Sequence, residues 1–197
     1  LLAIAYMTNT WDTPIYLLFW GVASLFTFYH QKKKLSFPFP VIVFSLIILT
    51  GVVVPTLPFN IAFLSILQGI DFVNSHTPLK QFLILWGQFI LPVFFLIPIL
   101  LKKKKLSFNS IFLLALITTA LILLVIPEVI YIKDIYGKDY YRANTMFKFT
   151  YQAYIMMAIL VGYIMTKILA KTKEVAGMVM FINKFRNELS RYGSEFR

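Results

Sequence analysis

The sequence predicts an all-α polytopic membrane protein, a bundle of about five full transmembrane helices preceded by a partial span. Three observations predict it. Of the 197 residues, 59% are hydrophobic and 14% charged, where a soluble domain carries about 25% charged residues. Apolar stretches recur at residues 14–28, 38–57, 82–101, 111–126 and 151–168, most at or near the roughly 20 residues that cross about 30 Å of hydrocarbon. The first and fourth are short and draw length from their flanks. Clusters of lysine fall in every second connection between the stretches. In lipid each backbone polar group must be satisfied inside its own segment, and these stretches lack the alternation of barrel strands, so helices are expected.

The elements follow in order. The chain opens on Leu1-Leu2-Ala3-Ile4-Ala5-Tyr6 with neither Met nor a basic flank, which is not the pattern of a signal peptide and is expected to be the end of a span that begins upstream. Residues 8–13 break the apolar pattern, and Thr13-Pro14 reads as an N-cap followed by proline at the first helical position. A helix is expected from there to His30, and a second from beyond Lys34 to about Leu57, its end marked by Pro55 and Pro58. Residues 56–80 are too many for a simple turn, and 59–72 are expected to form a shallow or re-entrant helix. Ser75-His76-Thr77-Pro78 repeats the cap-and-proline signal with Thr77 as cap. The helix that follows carries Gln88 near its middle and then Pro92 and Pro98, a pattern of helix packing or kinking. The fourth helix ends near Pro127, with residues 128–136 expected to prolong it into the interface until Gly137 breaks it. The last span ends near Lys167. Residues 1–173 therefore form one transmembrane domain. Residues 174–197 form a basic tail in which Phe181, Ile182, Phe185, Leu189 and Tyr192 sit at helical spacing, suited to an amphipathic helix on the membrane surface or to a solvated tail.

Charge sets the expected orientation. Lys32 to Lys34, Lys102 to Lys105, and Lys167, Lys171 and Lys173 lie on one side of the membrane with the tail, and the formal net charge of +11 resides there. On the other side five basic and five acidic residues cancel. The positive-inside rule places the lysine-rich loops and the C-terminal tail in the cytoplasm of a multi-pass cell-membrane protein. Anionic lipid explains the basic runs, and without a recognition motif no nucleic-acid partner is expected. The chain has no Cys, which excludes disulfides and thiolate metal sites. It has no Gly-rich phosphate loop, HExxH pair or nucleophile elbow.

Polar residues gather in three segments that end at the same membrane surface: Asn9, Trp11 and Asp12; Asp71, Asn74, Ser75 and His76; and Glu128, Asp134, Asp139, Arg142, Asn144 and Lys148. Asn144 and Lys148 share a helix face at i, i+4 spacing. Arg142 and Lys148 at a helix start suit a phosphate or diphosphate, or else anchor the interface by snorkelling among Tyr140, Tyr141 and Tyr151. Asp12 is a general base, a metal ligand or a helix-capping acid, capping being the commonest use of such a position. His76 with Asp71 makes only a weak metal-ligand set. Two other readings stay open: a transporter or flippase, disfavoured by spans without charge at mid-depth, and a non-catalytic assembly subunit whose external loops are binding surface.

Asn9-Thr10-Trp11-Asp12-Thr13-Pro14-Ile15-Tyr16, then Ser75-His76-Thr77-Pro78 with Gln81-Phe82 and Trp86-Gly87, then Glu128 to Tyr131, Asp134, Arg142, Asn144-Thr145, Phe147-Lys148-Phe149 and Gln152 resemble, in order and spacing, the YYY domain family of prokaryotic multispanning membrane proteins. The resemblance covers the chain to about Lys173. The family's tyrosine triplet and acidic first external loop lie upstream of the matched part, so the chain resembles the later half of a larger protein. Ala143 stands where a larger apolar residue is expected. The family is uncharacterised and is similar to GT-C glycosyltransferases, which implies a GT-C-like fold and a sugar donor linked to polyprenyl phosphate. Carried onto this chain, the resemblance makes Arg142 and Lys148, with Asn144, Asn9 and Trp11, the residues for lipid phosphate and substrate. It makes Asp12, His76 and Glu128 the residues that orient the sugar or a divalent metal ion, the catalytic base itself belonging either to them or to the upstream half.

Overall fold

The computed structural model describes residues 2–31, 39–63, 68–102, 106–134 and 140–169, together with a few residues between 177 and 187. Among the described residues the elements run in the order α1 (Leu2–Thr8), α2 (Asp12–Gln31), α3 (Phe39–Ala62), β1 (Gly69–Phe72), α4 (Leu79–Leu101), α5 (Phe108–Val129), β2 (Ile130–Lys133) and α6 (Ala143–Leu169). Among the described residues α4, α5 and α6 are long and apolar enough to cross a membrane. Within α2 and α3 the apolar runs are shorter, Asp12–Phe28 and Leu46–Ala62. The expectations for the runs 32–34 and 103–105 and, apart from those few residues, for the tail fall outside the described residues.

Helix α5 is the centre of the bundle, packing most extensively on α6 and then on α2. Its burial follows from its sequence. Leu113, Leu114, Leu116, Ile117, Leu123 and Leu124 are all buried, and Ala115, Thr119 and Ala120 are fully enclosed, as is Ala153 of α6. Small side chains let two helix backbones approach closely where no hydrophobic drive separates lipid from protein. In contrast α4 exposes Leu83, Ile84, Leu85, Phe94 and Phe95, an apolar surface of the kind that meets lipid or further protein.

The helices depart from the sequence expectations at their ends. Helix α3 does not stop near Leu57 but continues through Pro55 and Pro58 to Ala62. An interior proline costs a backbone bond, and membrane helices tolerate it where side chains brace the turn. Here the Thr56 hydroxyl donates to the Val52 carbonyl at 2.8 Å and the Asn60 amide donates to Thr56 at 3.3 Å. The Tyr6 hydroxyl of α1 donates to Asn60 at 2.8 Å and its ring meets Phe59 edge-on. Helix α2 starts at Asp12, one residue before the expected cap at Thr13, which is buried. Pro78, not Thr77, occupies the N-cap position of α4, and no side chain caps it.

The all-α expectation holds for the bundle and is corrected at its polar end. Gly69–Phe72 and Ile130–Lys133, expected to be re-entrant and extended helix, are instead antiparallel strands that pair Gly69 with Lys133 and Phe72 with Ile130. Ile130, Tyr131 and Ile132 are residues that pack well on a pleated surface, but the partner strand lies about sixty positions away and leaves no local signal. Gly69 enters the strand at φ 124°, a conformation that side chains with a Cβ rarely adopt. The sheet is tied to α6 by Thr145, which is 1% exposed and whose hydroxyl accepts the Ile132 N–H at 3.0 Å. Replacing Thr145 with Val keeps the shape and removes the acceptor. The orphaned N–H is expected to cost about 1–3 kcal/mol, read as a lower unfolding midpoint in detergent and faster hydrogen exchange at Ile132.

Candidate functional site

The start of α2, the start of α4, the end of α5 and the start of α6 share one end of the bundle, which brings the three polar segments of the sequence together. They form two clusters rather than one site.

The first cluster is a clamp. Glu128, in the last turn of α5, accepts the Thr77 hydroxyl at 2.6 Å and the Thr77 N–H at 2.8 Å. Its second oxygen also receives Arg142 at 3.0 Å. The guanidinium reaches on to the Pro127 carbonyl at 3.3 Å and the Thr77 hydroxyl at 3.3 Å. With side chains only 18% and 19% exposed, Arg142 and Glu128 are a largely buried pair. His76 places Nδ1 2.8 Å from the Glu128 carbonyl oxygen. A carbonyl only accepts, so the neutral ring carries its proton on Nδ1 and presents a bare Nε2. Ser75 donates its N–H to the Tyr141 hydroxyl at 3.3 Å, and hydrogen bonding to Ser75 pulls the Tyr141 phenol below its ordinary value. Beside the clamp, Lys133 bridges Asp71 at 2.8 Å across the strands; the hydrogen bond holds the Asp71 carboxyl below the usual range and raises the Lys133 ammonium.

The second cluster surrounds Asp12, which is partly buried. Its Oδ1 accepts the Asn9 side-chain amide at 3.0 Å and the Gln152 amide at 3.3 Å. Its Oδ2 has no hydrogen-bond partner among the described residues. Trp11 stands edge-on to Phe149 with ring centres 5.6 Å apart. Tyr6, Thr10, Trp11, Thr13 and Ile132 line a cavity of about 220 Å³ here.

Helix α6 connects the clusters. Asn144, Lys148 and Gln152 follow at four-residue spacing on one face. Lys148 is partly buried, with its ammonium 5.8 Å above the Phe147 ring and no carboxylate partner among the described residues. Arg142 and Gln152 are ten positions apart, about 15 Å along a helix.

Of the residues expected to act together, His76, Glu128 and Arg142 meet in the clamp, whereas Asn9, Trp11 and Asp12 form the second cluster, with Lys148 one helical turn from its Gln152. Arg142 is already neutralised by Glu128. Among the described residues no group of three or more His, Cys, Asp or Glu is placed to hold a metal ion. Sequence reasoning missed Gln152 as a partner of Asp12, although its place on the Asn144–Lys148 face was a signal for it. It also missed Thr77 as a ligand of Glu128, for which the sequence carries no signal.

Comparison with curated proteins and with solved structures gives no match. The sequence model of a family described as uncharacterized membrane protein, DUF2298, matches residues 1–114 and 96–157, and since the YYY domain family is this family, the chain belongs to it.

Proposed function

We propose that this membrane protein transfers a sugar from a polyprenyl phosphate carrier to an acceptor hydroxyl at the polar end of its bundle, as a GT-C-like glycosyltransferase facing away from the cytoplasm. The observation that carries the reading is the Asp12 carboxylate, held on one oxygen by the Asn9 and Gln152 amides, with Lys148, which has no carboxylate partner among the described residues, one helical turn from that Gln152 on α6. In the reaction the acceptor oxygen attacks the anomeric carbon as its proton passes to Asp12 Oδ2. The bond from that carbon to the carrier phosphate breaks, and the phosphate leaves with the electron pair. A base held in one orientation contributes typically 10²–10⁴-fold to such a step. Lys148 meets the charge that grows on the departing phosphate, and Trp11 and Tyr6, which line the neighbouring cavity, offer aromatic faces to a sugar held beside Asp12. Asn144 lies on the face the carrier would follow. The clamp of His76, Glu128 and Arg142 ties the starts of α4 and α6 to the end of α5 beside this surface. In this reading α2 and α3, whose apolar runs are shorter, also cross the membrane beside α4, α5 and α6.

Binding of a polyprenyl phosphate sugar to the protein in nanodiscs tests the reading. Lys148→Ala is expected to weaken it about ten-fold or more, since a hydrogen bond to a charged group contributes about 1.5–3 kcal/mol. Equal binding by wild type and variant would return Lys148 to interface anchoring and favour transport or assembly. Orientation is tested separately by single Cys substitutions in this chain, which itself has no Cys. Lys80→Cys is expected to react with a membrane-impermeant maleimide on intact cells, and Lys102→Cys only after permeabilisation; the opposite pattern would place the Asp12 surface in the cytoplasm.

A further inference from the structure

At the other end of the bundle, and independent of the Asp12 site, α4, α5 and α6 enclose a cavity of about 510 Å³. It exists because α4 leans on α6 and only lightly touches α5, leaving a wedge between them. The wedge has an apolar inner wall, including the buried Leu96 and Leu100, and an outer lip of Phe95 and Ile99 that are 62% and 60% exposed. Its mouth is polar, with Ser107, Asn109 and Lys167. The Lys167 ammonium lies 5.6 Å over the Tyr163 ring, and among the described residues it has no carboxylate partner. Lys102, exposed at the C-terminus of α4, adds a second cation at this end. The acidic residues described, Asp12, Asp71, Glu128 and Asp134, all belong to the opposite end.

We infer that this wedge is a binding site for an anionic glycerophospholipid, with an acyl chain between α4 and α6 and the headgroup phosphate at Lys167 and the Ser107–Asn109 mouth. The size falls in the range of ligand pockets, roughly 300–1,000 Å³. A purely apolar occupant would leave the polar mouth and the ammonium unmatched, and a water-soluble anion would leave Phe95 and Ile99 without hydrocarbon. An amphiphile with negative charge satisfies both. The excess of positive charge on this side of the chain, net +11, selects an anionic head over a zwitterionic one, at about 1 kcal/mol or five-fold for each lysine engaged.

The test is native mass spectrometry of the delipidated chain in a neutral detergent, titrated with phosphatidylglycerol and with phosphatidylcholine of the same acyl chains. Wild type is expected to bind phosphatidylglycerol about five-fold or more tightly than phosphatidylcholine. Lys167→Gln is expected to remove most of that preference. Ile168→Trp, which fills the lip without touching the charge, is expected to weaken both lipids, and Lys80→Gln at the far end to change neither. Unfolding midpoints confirm that each variant is folded. Equal binding of the two lipids by wild type, a preference that survives Lys167→Gln, or indifference to Ile168→Trp overturns the assignment.

Discussion

Arg142→Ala is expected to lower the stability of the folded protein by about 2–4 kcal/mol, the range between losing a charged hydrogen bond and stranding a buried ion. The side chain holds three acceptors on two other segments: the Glu128 carboxylate, the Pro127 carbonyl and the Thr77 hydroxyl. Truncation removes all three bonds and leaves the Glu128 carboxylate, 19% exposed, with the two Thr77 hydrogen bonds and no counter-charge among the described residues. Arg142→Lys should recover part of the loss, because an ammonium pairs with Glu128 but lacks the planar fork that spans the three acceptors. The double variant Glu128→Gln/Arg142→Met should lose less than the two single changes added together, since residues in one network couple. Thermal unfolding in detergent reads wild type, each single variant and the double variant. An Arg142→Ala midpoint equal to that of wild type would dissolve the clamp and return Arg142 to the phosphate.

This result bears on how far the sequence could be read. The spans were legible because lipid imposes one rule on every residue of a segment, and α4, α5 and α6 lie close to where hydropathy put them. The gathering of Asn9 to Asp12, Ser75 to His76 and Glu128 to Lys148 at one end was legible too, because alternating helices carry loops back to the same surface. What could not be read was pairing. Thr77 ahead of Pro78 has the local signature of a helix cap, yet its N–H and hydroxyl go to Glu128, fifty-one positions away. Arg142 and Lys148 look alike as cations near a helix start, and only contacts show that one is paired with Glu128 while the other, among the described residues, has no carboxylate partner. The strands escaped for the same reason, since Ile130-Tyr131-Ile132 after an apolar helix reads as more helix until Gly69 to Phe72 is known to lie beside it.

Asp12→Asn is the change that separates chemistry from architecture, and it is expected to reduce sugar transfer by 10²-fold or more, the size of a lost general base, while leaving the unfolding midpoint near that of wild type. The reason lies in the two bonds at Oδ1. An asparagine carbonyl oxygen in the same place still accepts the amides of Asn9 and Gln152, so the junction of α2 with α6 keeps its hydrogen bonds. The position of Oδ2, open in the structure, becomes an amide nitrogen that cannot take a proton from the acceptor hydroxyl. Gln152→Leu makes the complementary case. It removes one of the two bonds that fix the carboxylate, leaves the base itself in place, and should lower kcat more modestly by loosening its aim. The pair of variants is measured by transfer from a polyprenyl phosphate sugar with midpoints taken on the same preparations. Full activity in Asp12→Asn removes Asp12 from the reaction and leaves it as the acid that begins α2; loss of activity together with a collapsed midpoint assigns it to structure; loss of activity in a protein that melts like wild type is the result the open carboxylate oxygen predicts.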